Sequence, residues 1–262
     1  MKPLLLILSH NNSESQKIQK DELTQNNIDK FIIYYVIPDT QIYRKVKIDK
    51  ENNIIYIKSP NNFESNSILI YNAIKHIHNT LKDEISGIFK TNDDANLDLN
   101  KLYQCIEDNE IDKYFGVAYH TKEHISTFHQ GKCESEELNR KEITIPECKY
   151  CSGGGYYISK DIIPYIIENE LIFKEIPYED VCVGLSLNKN GIYPTPIDVK
   201  NKGCLWEEFK ENEPIRNEPT QPPQPFTIQG KSIFQGAELC RYCGYPKNKI
   251  RYNFCQKCGR LY

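Results

Sequence analysis

Three short stretches hold the residue types that do polar chemistry. They are "KTNDDAN" at Lys90–Asn96, "CKYCSGGGYYIS" at Cys148–Ser159 and "PYEDVCVGLSLNKNG" at Pro177–Gly191. In the first, Asp93 and Asp94 end a β-branched run and precede a helical pattern. One carboxylate there can cap the helix. Two, beside the amide of Asn92, can hold a divalent cation, because hard cations take oxygen ligands. In the second, Gly153, Gly154 and Gly155 remove every Cβ from an expected turn. That serves a plain flexible turn, a positive φ, or close approach of backbone amides to a ligand. In the third, Glu179 and Asp180 open an apolar helix that Gly191 can end. Acids suit a first helical turn through the dipole alone, and the same position can keep a carboxylate ionised for work as a base.

A fourth cluster closes the chain. Cys240 and Cys243 precede Cys255 and Cys258 by eleven residues, with Gly244 and Gly259 after each pair. Four thiolates at this spacing suit structural Zn²⁺ in a small ribbon that buries too little apolar surface to fold alone. Six basic residues and four aromatics interleave there, so nucleic-acid contact is open. A structural or protein-docking knob is the favoured reading. Cys148 and Cys151, with Cys133 upstream, lack a fourth ligand for a second zinc and read as buried thiols. His76 and His78, two apart on a helix, point to different faces and read as surface or capping groups.

The elements that must carry these residues follow from pattern. "PLLLIL" (Pro3–Leu8) and "FIIYYVI" (Phe31–Ile37) are continuous apolar runs, as buried strands require. "YRKVKID" and "NNIIYIKS" suggest a hairpin turning at Asn52-Asn53. Ile68, Tyr71, Ile74, Ile77 and Leu81 recur at helical spacing. "GIFKT" reads as a strand, "LDLNKLYQCIED" as a helix and "YFGVAY" as another strand. Such alternation predicts an α/β sheet, whose ligands bind at the carboxyl ends of the strands. "TNDDAN" sits at one of those ends, which favours a cation over a cap.

The 262 residues allow one sizeable core and a small appendage, with boundaries expected at 1–210, 211–230 and 231–262. The middle segment is proline-rich and reads as a linker. A net charge of −3 predicts no global attraction to nucleic acid or acidic membranes. "PLLLIL" is too short to span a membrane or to act as a secretory signal. Ten cysteines without an export signal suit thiols and metal sites in a reducing compartment.

Taken together, the first three stretches resemble the β-1,3-galactosyltransferase and Fringe-like family of inverting glycosyltransferases, family 31, over about Pro3 to Trp206. The family pattern is a lysine-threonine and acidic run, a cysteine-serine-triple-glycine-tyrosine segment, and an acid-aspartate-valine helix ending in glycine. The resemblance implies a GT-A fold, with a mixed, mostly parallel sheet flanked by helices, and transfer from a UDP-sugar to a glycan or glycoprotein hydroxyl, forming a β-1,3 linkage. It implies Mn²⁺ (or Mg²⁺) on Asp94, with Asp93 and Asn92 placing ribose, phosphate or water. Ser9 and Lys90 join them as donor contacts. Asp180 becomes the general base, and Glu179 with the three glycines forms the acceptor-side wall.

The chain also departs from that pattern. Asn92 replaces the first acid. No histidine follows Gly131, where the family supplies a late metal ligand. "SHNNSESQKIQKDEL" replaces the family's arginine-rich start, leaving Ser9, His10 and Lys17 as candidate donor contacts. The Golgi anchor of animal relatives is not expected here, so the localisation expected is cytoplasmic, as in a host cell or virion of a large DNA virus. The rival function is a degenerate GT-A domain that binds protein or nucleic acid through its ribbon.

Overall fold

The computed structural model describes residues 1–9, 29–199, 202–207, 227–228 and 231–232. The chain divides into two compact units, Met1–Glu208 and Phe209–Tyr262. Of the second, the described residues form one antiparallel pair, Thr227–Ile228 with Lys231–Ser232. This pair straddles the expected boundary between linker and ribbon. The zinc ligands expected at Cys240, Cys243, Cys255 and Cys258 lie outside the described residues, as do His10 and Lys17.

The first unit is built on strand β1 (Lys2–Leu8), buried from Pro3 onward. Its continuous apolar run is explained by cover on both faces. Leu4, Leu6 and Leu8 enter one core cluster, while Leu5 and Ile7 enter the other. Parallel neighbours are β2 (Ile32–Pro38) and β5 (Ile85–Asn92). The sheet continues past β2 through β4 (Ile54–Ile57) to β3 (Val46–Asp49). These two form the expected hairpin, in which Asn53 takes φ 55° and Asp49 Oδ1 accepts from the Asn52 backbone N–H. On the other side of β5 lie β10 (Cys148–Ser159), β7 (Tyr114–Thr121) and β11 (Thr195–Pro196). Strand β10 runs antiparallel to both β5 and β7, so the sheet is mixed, and its remaining pairs are parallel except the β3–β4 hairpin.

Helix α1 (Asn66–Leu81) covers one face with Tyr71, Ile74 and Ile77 buried, and with Ile68 and Leu81 at the margin of the core. Helix α2 (Leu99–Asp108) covers the other with Leu99, Leu102, Cys105 and Ile106. Short β6 (Ala95–Leu97) and β12 (Leu205–Glu207) pair beside the sheet, as do β8 (His124–Ser126) and β9 (Ile143–Ile145). Between β8 and β9 lies α3 (Glu136–Arg140). After β10 come α4 (Ile163–Ile167), α5 (Glu170–Glu175) and α6 (Glu179–Asn188), packed on the α1 face. Gly191, at φ +69°, ends α6 as its position after the apolar run predicts. Among the described residues, no helix is long and apolar enough to cross a membrane.

Candidate active site

The acidic pair after β5 is placed by strand register. Leu8 of β1 stands opposite Asn92 of β5, so the chain leaves β5 beside Ser9. The Asp93 backbone N–H donates to Leu8 O at 3.0 Å, and the fully buried Ser9 donates its hydroxyl to Asp93 Oδ2 at 2.7 Å. Asp94, one residue on, is exposed. Neither caps the following helix. Asp98 does that, accepting from the Lys101 backbone N–H at 3.0 Å, with β6 intervening. The two readings of Asp93-Asp94 are thereby separated, because the capping role belongs to another residue.

The glycine segment is not the turn its composition suggests. It lies inside the twelve-residue strand β10, whose pairing with β7 shifts register between Cys151 and Tyr156. Gly153, Gly154 and Gly155 sit in this irregularity without adopting positive φ. Proximity is the reason for glycine at 153. A Cβ there would stand 2.8 Å from Glu179 Oε1 and 3.4 Å from Asp180 Oδ2. The strand backbone therefore rests directly on the acidic first turn of α6, a contact that only a residue without a side chain permits.

Lys90 joins the three stretches. It points inward from β5 and is 1 % exposed. Its ammonium donates to Asn92 Oδ1 at 2.8 Å and to Gly153 O at 2.9 Å, and it pairs with Glu179. These partners engage all three N–H donors of a lysine. The neighbouring Thr91 hydroxyl donates to Gly154 O at 2.9 Å. A buried ammonium needs an anion and further acceptors to offset its desolvation, and each motif supplies one of them.

Asp180 accepts from the Gly153 N–H through Oδ2 at 3.0 Å and from the Val181 N–H through Oδ1 at 2.8 Å. Its place at the start of a helix predicts an ordinary low pKa. Instead, burial first and the Glu179 charge second push it up to about 7, against the lowering effect of those two N–H groups and of Lys90. Desolvation outweighs the helix terminus because the half-buried carboxylate packs against Gly153 and its own helix.

A support for this turn was not legible in the sequence. Tyr178 precedes the acids, and its hydroxyl lies 2.7 Å from His129 Nδ1 and 3.0 Å from Ser126 Oγ. The other ring nitrogen of His129 lies 2.9 Å from the carbonyls of both Leu138 and Lys141. Carbonyls only accept, so Nε2 carries hydrogen. His129 is fully buried and ties three loops together. No periodicity marks such a residue, because its partners come from 9 to 49 positions away.

His76 and His78 depart from the surface or capping role expected of them. Both are half-buried, and burial lowers both pKa values. Cys133, Cys148 and Cys151 are buried free thiols. Among the described residues, no group of three or more His, Cys, Asp or Glu side chains could hold a metal. The donor set at Asp93-Asp94 fits the other arrangement open to a hard cation, in which one or two carboxylates act together with substrate phosphates and water.

No curated protein sequence is significantly similar to the chain. A crystal structure of a glycosyltransferase involved in the glycosylation of the major capsid of PBCV-1 is similar to it at a TM-score of 0.37 and 12 % identity, covering 76 % of this chain and 83 % of that one. The family model described as Galactosyltransferase matches residues 20–198, a span that contains all three motif stretches. On that match the chain belongs to the galactosyltransferase family.

Proposed function

We propose that the protein transfers a sugar from a UDP-sugar to an acceptor hydroxyl with inversion at the anomeric carbon, forming a β-1,3 linkage on a glycan or glycoprotein. The carrying observation is the Lys90 ammonium, which holds Asn92, Gly153 and Glu179 at one point. It ties Asn92, the residue before the cation-type carboxylates, to Glu179 of the acid pair, which supports a displacement with a donor on one side and a base on the other.

In this reading the acceptor hydroxyl approaches Asp180, which takes its proton while the oxygen bonds to the anomeric carbon. The bond from that carbon to the diphosphate oxygen breaks on the opposite face, and UDP leaves with the electron pair. A base with a pKa near 7 is matched to such a transfer at neutral pH. Glu179 and Gly153 position Asp180, and Lys90 positions Glu179. Asp94, exposed at the mouth of β5, would hold Mn²⁺ or Mg²⁺, with Asp93 oriented by Ser9 beside it, and the ion would supply positive charge facing the departing diphosphate. Asn92 lines this donor side, and the buried Lys90 holds it there through its Oδ1.

By their spacing alone, Cys240, Cys243, Cys255 and Cys258 would hold structural Zn²⁺. The six described cysteines, all free and buried, suit a reducing compartment such as the cytoplasm. Incubation with Mn²⁺ and a panel of UDP-sugars should release UDP and yield a β-linked product by NMR. Asp180→Asn should abolish transfer. Equal turnover by that variant, or an α-linked product, would refute the assignment.

A further inference from the structure

Two thiols meet in the core cluster beneath α2. Cys105 lies on that helix and Cys204 immediately before β12, and they are 3 % and 1 % exposed. Their side chains hydrogen-bond to each other. Both also line a cavity of about 290 Å³ whose remaining walls are Lys101, Gln104, Asp108 and Lys202. Those four are exposed, so the cavity opens at the surface and the two sulfurs are its buried members. The space is small for an organic ligand, for which roughly 300–1,000 Å³ is usual, but ample for a molecule a little larger than water at about 30 Å³. Among the described residues no third His, Cys, Asp or Glu completes a metal site there.

The two sulfurs are chemically unequal. Burial pushes the Cys204 thiol up to about 11 and raises that of Cys105 as well, while the Lys202 ammonium pulls both back in part. Their mutual hydrogen bond opposes the rise at Cys105 and adds to it at Cys204. Asn109 Nδ2 also donates to Cys105 Sγ at 3.9 Å. Donors favour the anion of the sulfur that accepts, so the thiolate forms first at Cys105, with Cys204 beside it to resolve the product.

A bond between them would act on a weak part of the fold. Strand β12 pairs with the equally short β6, Leu205 opposite Leu97 and Glu207 opposite Ala95, the residue that follows Asp94. Two strands of three residues are marginal by themselves and open at low free energy. The root of β12 is held by hydrogen bonds, with the Asp98 N–H donating to Cys204 O at 3.1 Å and the Cys204 N–H donating to Val199 O at 3.0 Å. Asp98 is the cap at which β6 passes into α2. A covalent link from Cys204 to Cys105 therefore fastens β12 to the helix that carries β6.

We propose that Cys105 and Cys204 form a peroxide-responsive dithiol whose disulfide locks β12 onto β6. The Cys105 thiolate attacks one oxygen of hydrogen peroxide, the O–O bond breaks, and hydroxide leaves, giving a sulfenic acid. The Cys204 sulfur then attacks Cys105 Sγ, its proton passes to the departing hydroxide, and water forms. Two thiols are oxidised to one disulfide while one peroxide is reduced to two waters. Exchange with a small thiol reverses the bond, in keeping with the transient, redox-sensing disulfides of reducing compartments.

The test treats the full-length protein with hydrogen peroxide, blocks the remaining thiols by alkylation, and maps linked peptides by mass spectrometry. A Cys105–Cys204 link that dithiothreitol removes is expected. Hydrogen exchange of the backbone at 95–97 and 205–207 should slow at least about tenfold on oxidation. Cys105→Ala and Cys204→Ala, which leave the tail thiols in place, should show no slowing, with circular dichroism checking that each is folded. Absence of the link in the folded, unaltered protein, its appearance only in urea, or a link without slower exchange would overturn the proposal. Sugar transfer enters none of these readouts, so their outcome is independent of the transfer reading.

Discussion

Gly153 of the central strand β10 donates its backbone N–H to Asp180 at 3.0 Å, with no room for a side chain between the strand and the acidic turn of α6. The bare backbone is thus both the floor under the proposed base and one of its hydrogen-bond donors.

Gly153→Ala tests that contact. The new methyl would lie 2.8 Å from Glu179 Oε1, and Glu179 is tethered by Lys90, so the acid pair must move. A displacement approaching 1 Å at a reacting group lowers kcat by about 100-fold at most. The expected result is a loss of about 10- to 100-fold in kcat with a near-native circular dichroism spectrum. Unchanged kcat would show that Asp180 need not be held by the strand.

The pH profile follows from burial. A base must be ionised to act, so kcat should rise with pH through about 7 and level off above it. Glu179→Gln removes a neighbouring negative charge and should move that limb to lower pH, whatever it does to the plateau. A shift to higher pH would contradict the electrostatic account.

Stability should respond to the same group with a defined sign. The folded-state pKa of Asp180 is raised above its unfolded value, so between the two the folded state binds more protons. Its contribution to stability therefore declines as pH rises from about 4 through about 7. Asp180→Asn cannot titrate. Its Tm relative to the parent should increase between pH 5 and pH 8, as differential scanning calorimetry can measure.

Lys90→Met removes the buried cation that joins the three stretches. Breaking one partner of a buried pair costs about 3–5 kcal/mol, because the remaining charge is stranded. Urea unfolding should show a loss of that order. Adding Glu179→Gln should recover part of it, since the double variant no longer strands the Glu179 charge. Additive losses would mean that Lys90 and Glu179 act independently.

The cation site can be tested from its supporting residue as well as its ligand. Asp94→Ala should abolish Mn²⁺-dependent turnover. Ser9→Ala removes only the hydroxyl that orients Asp93 and should weaken Mn²⁺ activation by about 10- to 100-fold. Full activity of Asp94→Ala after removal of metal by EDTA would exclude this site.

Much of the framework was legible in order. The apolar runs at Pro3–Leu8 and Phe31–Ile37 became β1 and β2 because continuous hydrophobicity requires cover on both faces. The Asn52-Asn53 turn was legible because few residues tolerate the φ that Asn53 adopts. Other features were not. β6 consists of three residues, too few for a period to register, and it moves the helix cap from the suspected aspartates to Asp98. Three glycines read as a turn because loss of side chains is the same signal for a turn and for a close strand-to-helix contact.

By itself, the order of residue types determined that one pair of carboxylates follows a strand and another opens a helix, and the alternation of strand and helix patterns determined that those elements form a layered α/β sheet. Only the tertiary structure decided that Lys90 joins Asn92, Gly153 and Glu179, and that Asp180 has a pKa near 7 rather than that of an ordinary aspartate. The reason is physical. Periodicity and propensity act over a few residues, whereas desolvation and ion pairing depend on partners brought from 63 and 89 positions away, which the chain meets only after the sheet has closed.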